Sequence, residues 1–453
     1  MDTPIVDFVK AYKEKEFSRF HMPGHKGHVF FGWEPYDITE IEGADVLHLG
    51  DGIITESEKN AASLFGAGAT HYSTEGSSLC IKAMLAVLKM EQASRKRMER
   101  SYILAGRNIH RSMVDACALL DLDIEFIRET ENGHICTSKI TPELLEASLE
   151  RQKEMPLAVY LTSPDYLGEC LELSELAKVC ELFGAPLVVD HAHGAYLHFL
   201  NRAHPMDAGA AMCCDSAHKT LPVLTGGAYL HIHKKYLERF EPYVRQALTL
   251  FGSTSPSYLV LQSLDLCNRY LAEGYEERLK DRISEIEMLK EELGRQGLFI
   301  KKSEPLKIVL NASKSGYTGL EAAEELREFQ MECEYADQEY VVFMLTPENT
   351  KRDLERLYSW GEKSRLVKQP KKEREALSFG EFQTERVLSV REAVLSKSEW
   401  IPTEKALGRV CSAQVVSCPP AVPIAVSGER ISEEMIRAFS VFKIAKVSVV
   451  ADL

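Results

Sequence analysis

Two strand-like runs in this 453-residue chain end in groups able to do chemistry. The run LVVD ends on Asp190 and continues as HAHGAYLHF, while a later run ends in Cys213-Cys214-Asp215 and leads through SAHKTLPVLTGGA past Lys219. In open α/β sheets small molecules gather beyond the carboxyl ends of strands, so a carboxylate and an amine at two such ends can meet over one ligand. A third group precedes them. In THYSTEGSSLCIKAMLAVL, Gly76, Ser77 and Ser78 stand immediately before an apolar-periodic helix, where unpaired N–H groups, hydroxyls and the helix dipole suit a phosphate. Each feature alone has a plainer reading: an acid after a strand caps a turn, a lysine is solvated, and a serine is an ordinary helix N-cap.

Taken together, the three chemistries are those that pyridoxal 5'-phosphate requires. An amine can join its aldehyde, a carboxylate can pair with its ring nitrogen, and a helix start can hold its phosphate.

The elements that must position these groups are readable from periodicity. From about Ala61, short β-rich runs (YILA at Tyr102, IEFI at Ile124, LAVYLT at Leu157, LVVD at Leu187, AYLHI at Ala228) alternate with helix-period stretches, which predicts a largely parallel α/β sheet with crossover helices. Beyond Tyr258 the pattern turns helical, with Leu279, Ile283, Ile286, Leu289 and Leu293 on one face. LKIVLN at Leu306 and VVFML at Val341 flank a helical stretch and predict a second, smaller α/β layer. The segment EKSRLVKQPKKERE reads as a linker. The expected division is residues 1–60 as a segment packing on the large domain, 61–260 as the large domain, 261–365 as a small α/β domain, and 378–453 as a carboxy-terminal unit.

Composition excludes several classes. With 54 Lys and Arg against 68 Asp and Glu the net charge is −14, which argues against nucleic acid as a partner. The 11 cysteines are odd in number and form no C-x-x-C pair, so they read as reduced thiols and predict no metal site. The opening MDTPIVDFVKAYKEKEF lacks the apolar core of a secretory signal, and no apolar run reaches the ~20 residues that span a bilayer, so the expected location is cytoplasmic with no membrane partner.

FHMPGHKG, DITEIEGADVLH, SAHKTLPVLTGG, FGSTSPSYLVLQSLDLC and KALGRVCSAQVVSCPPAVPIAVSGERI stand in the order of, and together resemble, the ornithine/lysine/arginine decarboxylase family. That family is an aspartate-aminotransferase-like (fold type I) branch of the pyridoxal-phosphate enzymes, and the likeness is to its short bacterial form without the amino-terminal wing domain. The resemblance implies decarboxylation of a basic amino acid (arginine, lysine or ornithine), as in polyamine synthesis, by a homodimer or higher homo-oligomer with shared active sites. It implies that Lys219 binds the coenzyme covalently and Asp190 contacts the pyridine nitrogen. His110 is expected to stack on the ring, with Ala192 and His193 against its other face. Gly76, Ser77 and Ser78 would form the phosphate turn, and Ser216 and His218 would hold the phosphate or orient the ring. Ser253 and Thr254 would reach a neighbouring subunit's site, and Asp45 and Glu429 are candidates for the substrate's distal cation.

Three segments depart from the family pattern. DDLHHP is here DVLHLG, which places Val46 and Leu49; DEAHG is DHAHG, with His191 in place of the acid; and YPPGIP is SCPPAVP. They fall where substrate selection is expected. Two other readings stand beside the decarboxylase: an aminotransferase or lyase using the same coenzyme, and a non-catalytic binding or regulatory protein on the same fold.

Overall fold

The computed structural model describes residues 1–95, 101–128, 134–200, 203–368, 385–417 and 421–452. The chain is mixed α/β with a mostly parallel central sheet, and its contacts divide it into two compact units. The first comprises residues 1–100, 154–161 and 173–277; the second comprises 101–153, 162–172 and 278–453.

The first unit is built on strands in the order Ala69–Ser73, Ala228–Ile232, Met212–Asp215, Leu187–Asp190 and Ala158–Thr162. Leu187–Asp190 runs parallel to Met212–Asp215, with Asp190 opposite Cys214, whereas Ala228–Ile232 runs antiparallel to both of its neighbours. The three strands Leu187–Asp190, Met212–Asp215 and Ala228–Ile232 are buried at every position, which is why they read as continuous apolar runs and not as alternating ones. Helix Gly76–Ser94 buries Leu79 through Ile81 and Ala83 through Leu88. So broad an apolar surface marks a core helix and not a surface one. Its placement matters, because its first residues carry the proposed phosphate turn.

The second unit holds a parallel pair, Tyr102–Ala105 with Asp123–Phe126, and a four-stranded sheet in the order Tyr335–Ala336, Tyr340–Met344, Lys307–Asn311, Ile300–Lys301. All the pairings in this small sheet are antiparallel. The helical periodicity seen beyond Tyr258 becomes the 21-residue helix Tyr275–Arg295. One apolar core gathers Leu167, Val309 and Val342 with Cys411, Ile424, Met435, Phe439 and Val449, so the carboxy-terminal residues pack on the same side chains as the small sheet. The second half of the segment EKSRLVKQPKKERE, and Cys418 to Pro420 of SCPPAVP, lie outside the described residues. Among the described residues no helix is long and apolar enough to cross a membrane.

Candidate functional site

The site begins where two parallel strands of the first unit stop. Asp190 closes Leu187–Asp190 and is 3% exposed. Its Oδ2 accepts the Tyr160 hydroxyl at 3.3 Å, and its Oδ1 accepts the Ala192 N–H at 3.2 Å with the Cys214 thiol at 3.8 Å. On the adjacent strand the chain passes Ser216 into the single turn Ala217–Thr220, which carries Lys219. Lys219 Nζ lies 3.0 Å from His193 Nε2. Adjacent strand ends thus present a buried carboxylate from one and an amine from the other, and the residues just beyond the acid touch the amine.

His218 Nδ1 donates to the Gly227 carbonyl at 2.9 Å, which fixes the ring beside the lysine. Burial pushes the His218 pKa down, the Lys219 charge adds to this, and the bond to Gly227 opposes both. The imidazole is therefore held toward its neutral form.

The helix Gly76–Ser94 starts at the same end of the sheet. The Ser77 hydroxyl accepts that of Ser216 at 2.9 Å, so the helix start and the residue three before the lysine meet directly. Gly76 has φ +72°, its N–H donates to the Gly226 carbonyl, and a Cβ placed on it would find no atom within 4 Å. A left-handed residue with open space above a helix start leaves room for a ligand against backbone N–H groups. The cap residue Glu75 uses its own carboxylate elsewhere: Oε1 accepts the Ser253 N–H at 2.6 Å and ties the Ser253-Thr254 segment, exposed on this chain, to the turn.

The remaining expected residues sit as follows. Ala192 is buried next to Asp190. His110 belongs to the second unit, where its Nδ1 accepts the Ser112 N–H and caps helix Arg111–Leu120. The Asp45 carboxylate caps helix Ile53–Leu64, accepting N–H groups of Ile54 and Thr55 at 3.0 and 3.4 Å. Glu429, 1% exposed in the second unit, takes a two-pronged ion pair from Arg107 at 2.8 and 3.0 Å and the Val426 N–H at 2.8 Å. Both acids proposed for the substrate's cation therefore already serve donors of the chain itself. Val46 and Leu49 are exposed on the Asp45 loop.

Three residues unassigned from sequence take part: Tyr160, Glu75 and Asp215. Tyr160 lies 30 positions before the acid it touches, and nothing local marks it. Asp215 had a visible signal, being an acid at a strand end, but nothing local marks which imidazoles 11 to 24 positions away turn toward it.

The donor set fits pyridoxal 5'-phosphate: an amine beside an imidazole, a buried carboxylate on the neighbouring strand end, and an open, glycine-started helix flanked by two hydroxyls.

Comparison with known proteins gives the chain its family and fold. The family described as Orn/Lys/Arg decarboxylase, major domain, matches residues 3–342. The arginine decarboxylase of Bacillus subtilis (strain 168) is 29% identical over 473 residues, covering 96% of this chain and 92% of the relative. Among solved structures, the Francisella novicida lysine decarboxylase aligns with a TM-score of 0.78 at 16% identity, over 99% of this chain and 81% of its own. The Escherichia coli constitutive lysine decarboxylase aligns with a TM-score of 0.75 at 17% identity, over 99% and 82%. The fold is therefore the one expected from sequence, and a match across three quarters of the chain settles its kinship: the chain belongs to the Orn/Lys/Arg decarboxylase family.

Proposed function

We propose that this protein is a pyridoxal-phosphate-dependent decarboxylase of a basic amino acid, releasing CO2 and the corresponding amine. Family membership supports the reaction, and the Lys219–His193 contact beside the Asp190 strand end supports the coenzyme. Bound pyridoxal 5'-phosphate would supply an aldehyde that takes up amines and a ring that accepts electrons.

The chain's own residues supply the rest. Lys219 is the amine that would hold the coenzyme and yield to the substrate. Asp190 would keep the ring nitrogen protonated, since an adjacent carboxylate favours the charged form of a base. His193 Nε2, 3.0 Å from Lys219 Nζ, can exchange a proton with it, so the pair can deliver a proton to the carbon left by CO2. Ser77, Ser216 and the N–H groups of the Gly76 turn would bind the phosphate. Burial of Asp190 and Ala192 keeps water from that strand end.

The assembly we propose is a homo-oligomer. Phe20 is 95% exposed on this single chain, with Phe30 and Phe31 also exposed and stretching the apolar surface along the amino-terminal segment. A surface of that kind suits a second copy of the chain better than water.

The deciding experiment incubates the full chain with pyridoxal 5'-phosphate, reduces it with borohydride and locates the added mass, followed by CO2 release from arginine, lysine and ornithine. The expected result is label on Lys219, none on Lys219→Ala, and amine formed in step with CO2. Label on another lysine, or keto acid in place of amine, would defeat the proposal.

A further inference from the structure

Behind the site lies a cluster that the reaction scheme does not use. Asp215, fully buried, ends strand Met212–Asp215 and receives three imidazoles: His191 Nδ1 at 2.7 Å on one oxygen, with His204 Nε2 at 2.9 Å and His231 Nε2 at 3.1 Å on the other. Bonding on the far side of each ring fixes its hydrogens. His204 Nδ1 accepts the Met206 N–H at 3.2 Å, and His231 Nδ1 meets the Thr70 hydroxyl at 2.8 Å. His204 Nε2 therefore carries its proton toward the carboxylate, and His231 Nε2 does so too because the ionised carboxylate oxygen it faces can only accept, which leaves the Thr70 hydroxyl to donate to Nδ1. His191 Nε2 has no hydrogen-bond partner among the described residues and packs on Gly194, where an added Cβ would come within 2.2 Å of it. A buried lone pair costs less unsatisfied than a buried N–H, so His191 too carries its proton on Nδ1, facing Asp215. Although burial works to raise it, His204 and His191 hold the Asp215 carboxyl well below the usual carboxylate range.

The position of this cluster gives it a role. The ladder between the two parallel strands closes with the His191 N–H on the Cys214 carbonyl at 3.0 Å. Beyond that rung one strand leads on to His193 and the other to Lys219. The His191–Asp215 bond is one more rung, made by side chains past the last backbone one. Asp215 in turn is anchored through His231 to strand Ala228–Ile232, and through Thr70 to Ala69–Ser73.

We infer that His191 and Asp215 are positioning residues that lock the two strand ends together and thereby set the His193–Lys219 contact. The inference rests on the function proposed above and deepens it: His191, an acid in the resembling family, here serves as the donor that an anionic Asp215 requires. Neither residue touches the reacting atoms.

The test compares His191→Leu, which has no donor, with His191→Asn, whose amide nitrogen can stand near Nδ1. Steady-state kinetics and the rate of borohydride-trapped label on Lys219 are read on full-length protein whose melting is checked first. The expected outcome for His191→Leu is a kcat lower by about 100-fold, as for ~1 Å misplacement of reacting groups, with KM changed far less and trapping slowed. His191→Asn should recover much of both. If His191→Leu matches the parent in kcat and trapping, or His191→Asn is no better than a folded His191→Leu, the inference fails, while label on Lys219 of the parent would leave the coenzyme assignment standing. Should His191→Leu not fold, the unsubstituted protein decides: ring-nitrogen NMR shifts of 15N-histidine-labelled protein should show His191 protonated on Nδ1 and His204 on Nε2. A bare Nδ1 on His191, or a bare Nε2 on His204 as a bound cation would require, would overturn it.

Discussion

The Tyr160 hydroxyl is a donor to Asp190 from within the same unit, and it turns the acid's orientation into a measurable quantity. Tyr160→Phe removes one hydrogen bond of about 1 kcal/mol and should lower kcat by roughly 3- to 10-fold without dislodging the coenzyme. A parental kcat would show that the Ala192 N–H and the Cys214 thiol suffice to orient the carboxylate. Asp190 and Lys219 could be singled out as candidates from the sequence because one ends a strand-like run and the other stands in the polar turn just beyond another. Partners were not. Glu429 and Asp45 looked like free acids among 68, and only the fold shows Arg107, 322 residues away, on the first and a helix start on the second. Sequence gives the type of a buried charge but not what neutralises it.

Strand runs at Tyr102, Ile124, Leu157, Leu187 and Ala228 all form strands; in Tyr102–Ala105, Leu187–Asp190 and Ala228–Ile232 burial at every position leaves an apolar run that needs no context to recognise, whereas Asp123–Phe126 buries only Ile124. Ala69–Ser73 escaped notice: after Ala69 its residues THYS are mostly polar, yet all four are buried, with side-chain partners such as His231 and Glu58. Pairing direction was equally hidden in the second unit, because periodicity fixes which face is apolar and says nothing about whether Lys307–Asn311 and Tyr340–Met344 run together or opposed. At this scale the tight joint is Gly226, whose carbonyl accepts the Gly76 N–H. It has φ +100°, and an added Cβ would come within 2.6 Å of the Thr74 carbonyl oxygen. Gly226→Ala should cost about 1–3 kcal/mol in urea unfolding and weaken pyridoxal 5'-phosphate binding along with it. Unchanged stability would mean that the turn relaxes freely and does not cradle the phosphate.

Across the whole molecule, the amino-terminal segment carries a surface that a lone chain leaves wet. The triple variant Phe20→Ser, Phe30→Ser, Phe31→Ser should fold and run at the mass of one chain in size exclusion with light scattering, whereas the parent runs at two or more. A monomeric parent, or a variant that assembles as the parent does, would remove this segment from the interface.

The second unit's core has another consequence. Because Val309 and Val342 share their contacts with Ile424, Phe439 and Val449, shortening the gene to end before the last eighty or so codons would strip the cover from the small sheet itself. Such a product should be insoluble and not merely inactive, and anyone seeking a minimal version of this enzyme must trim elsewhere.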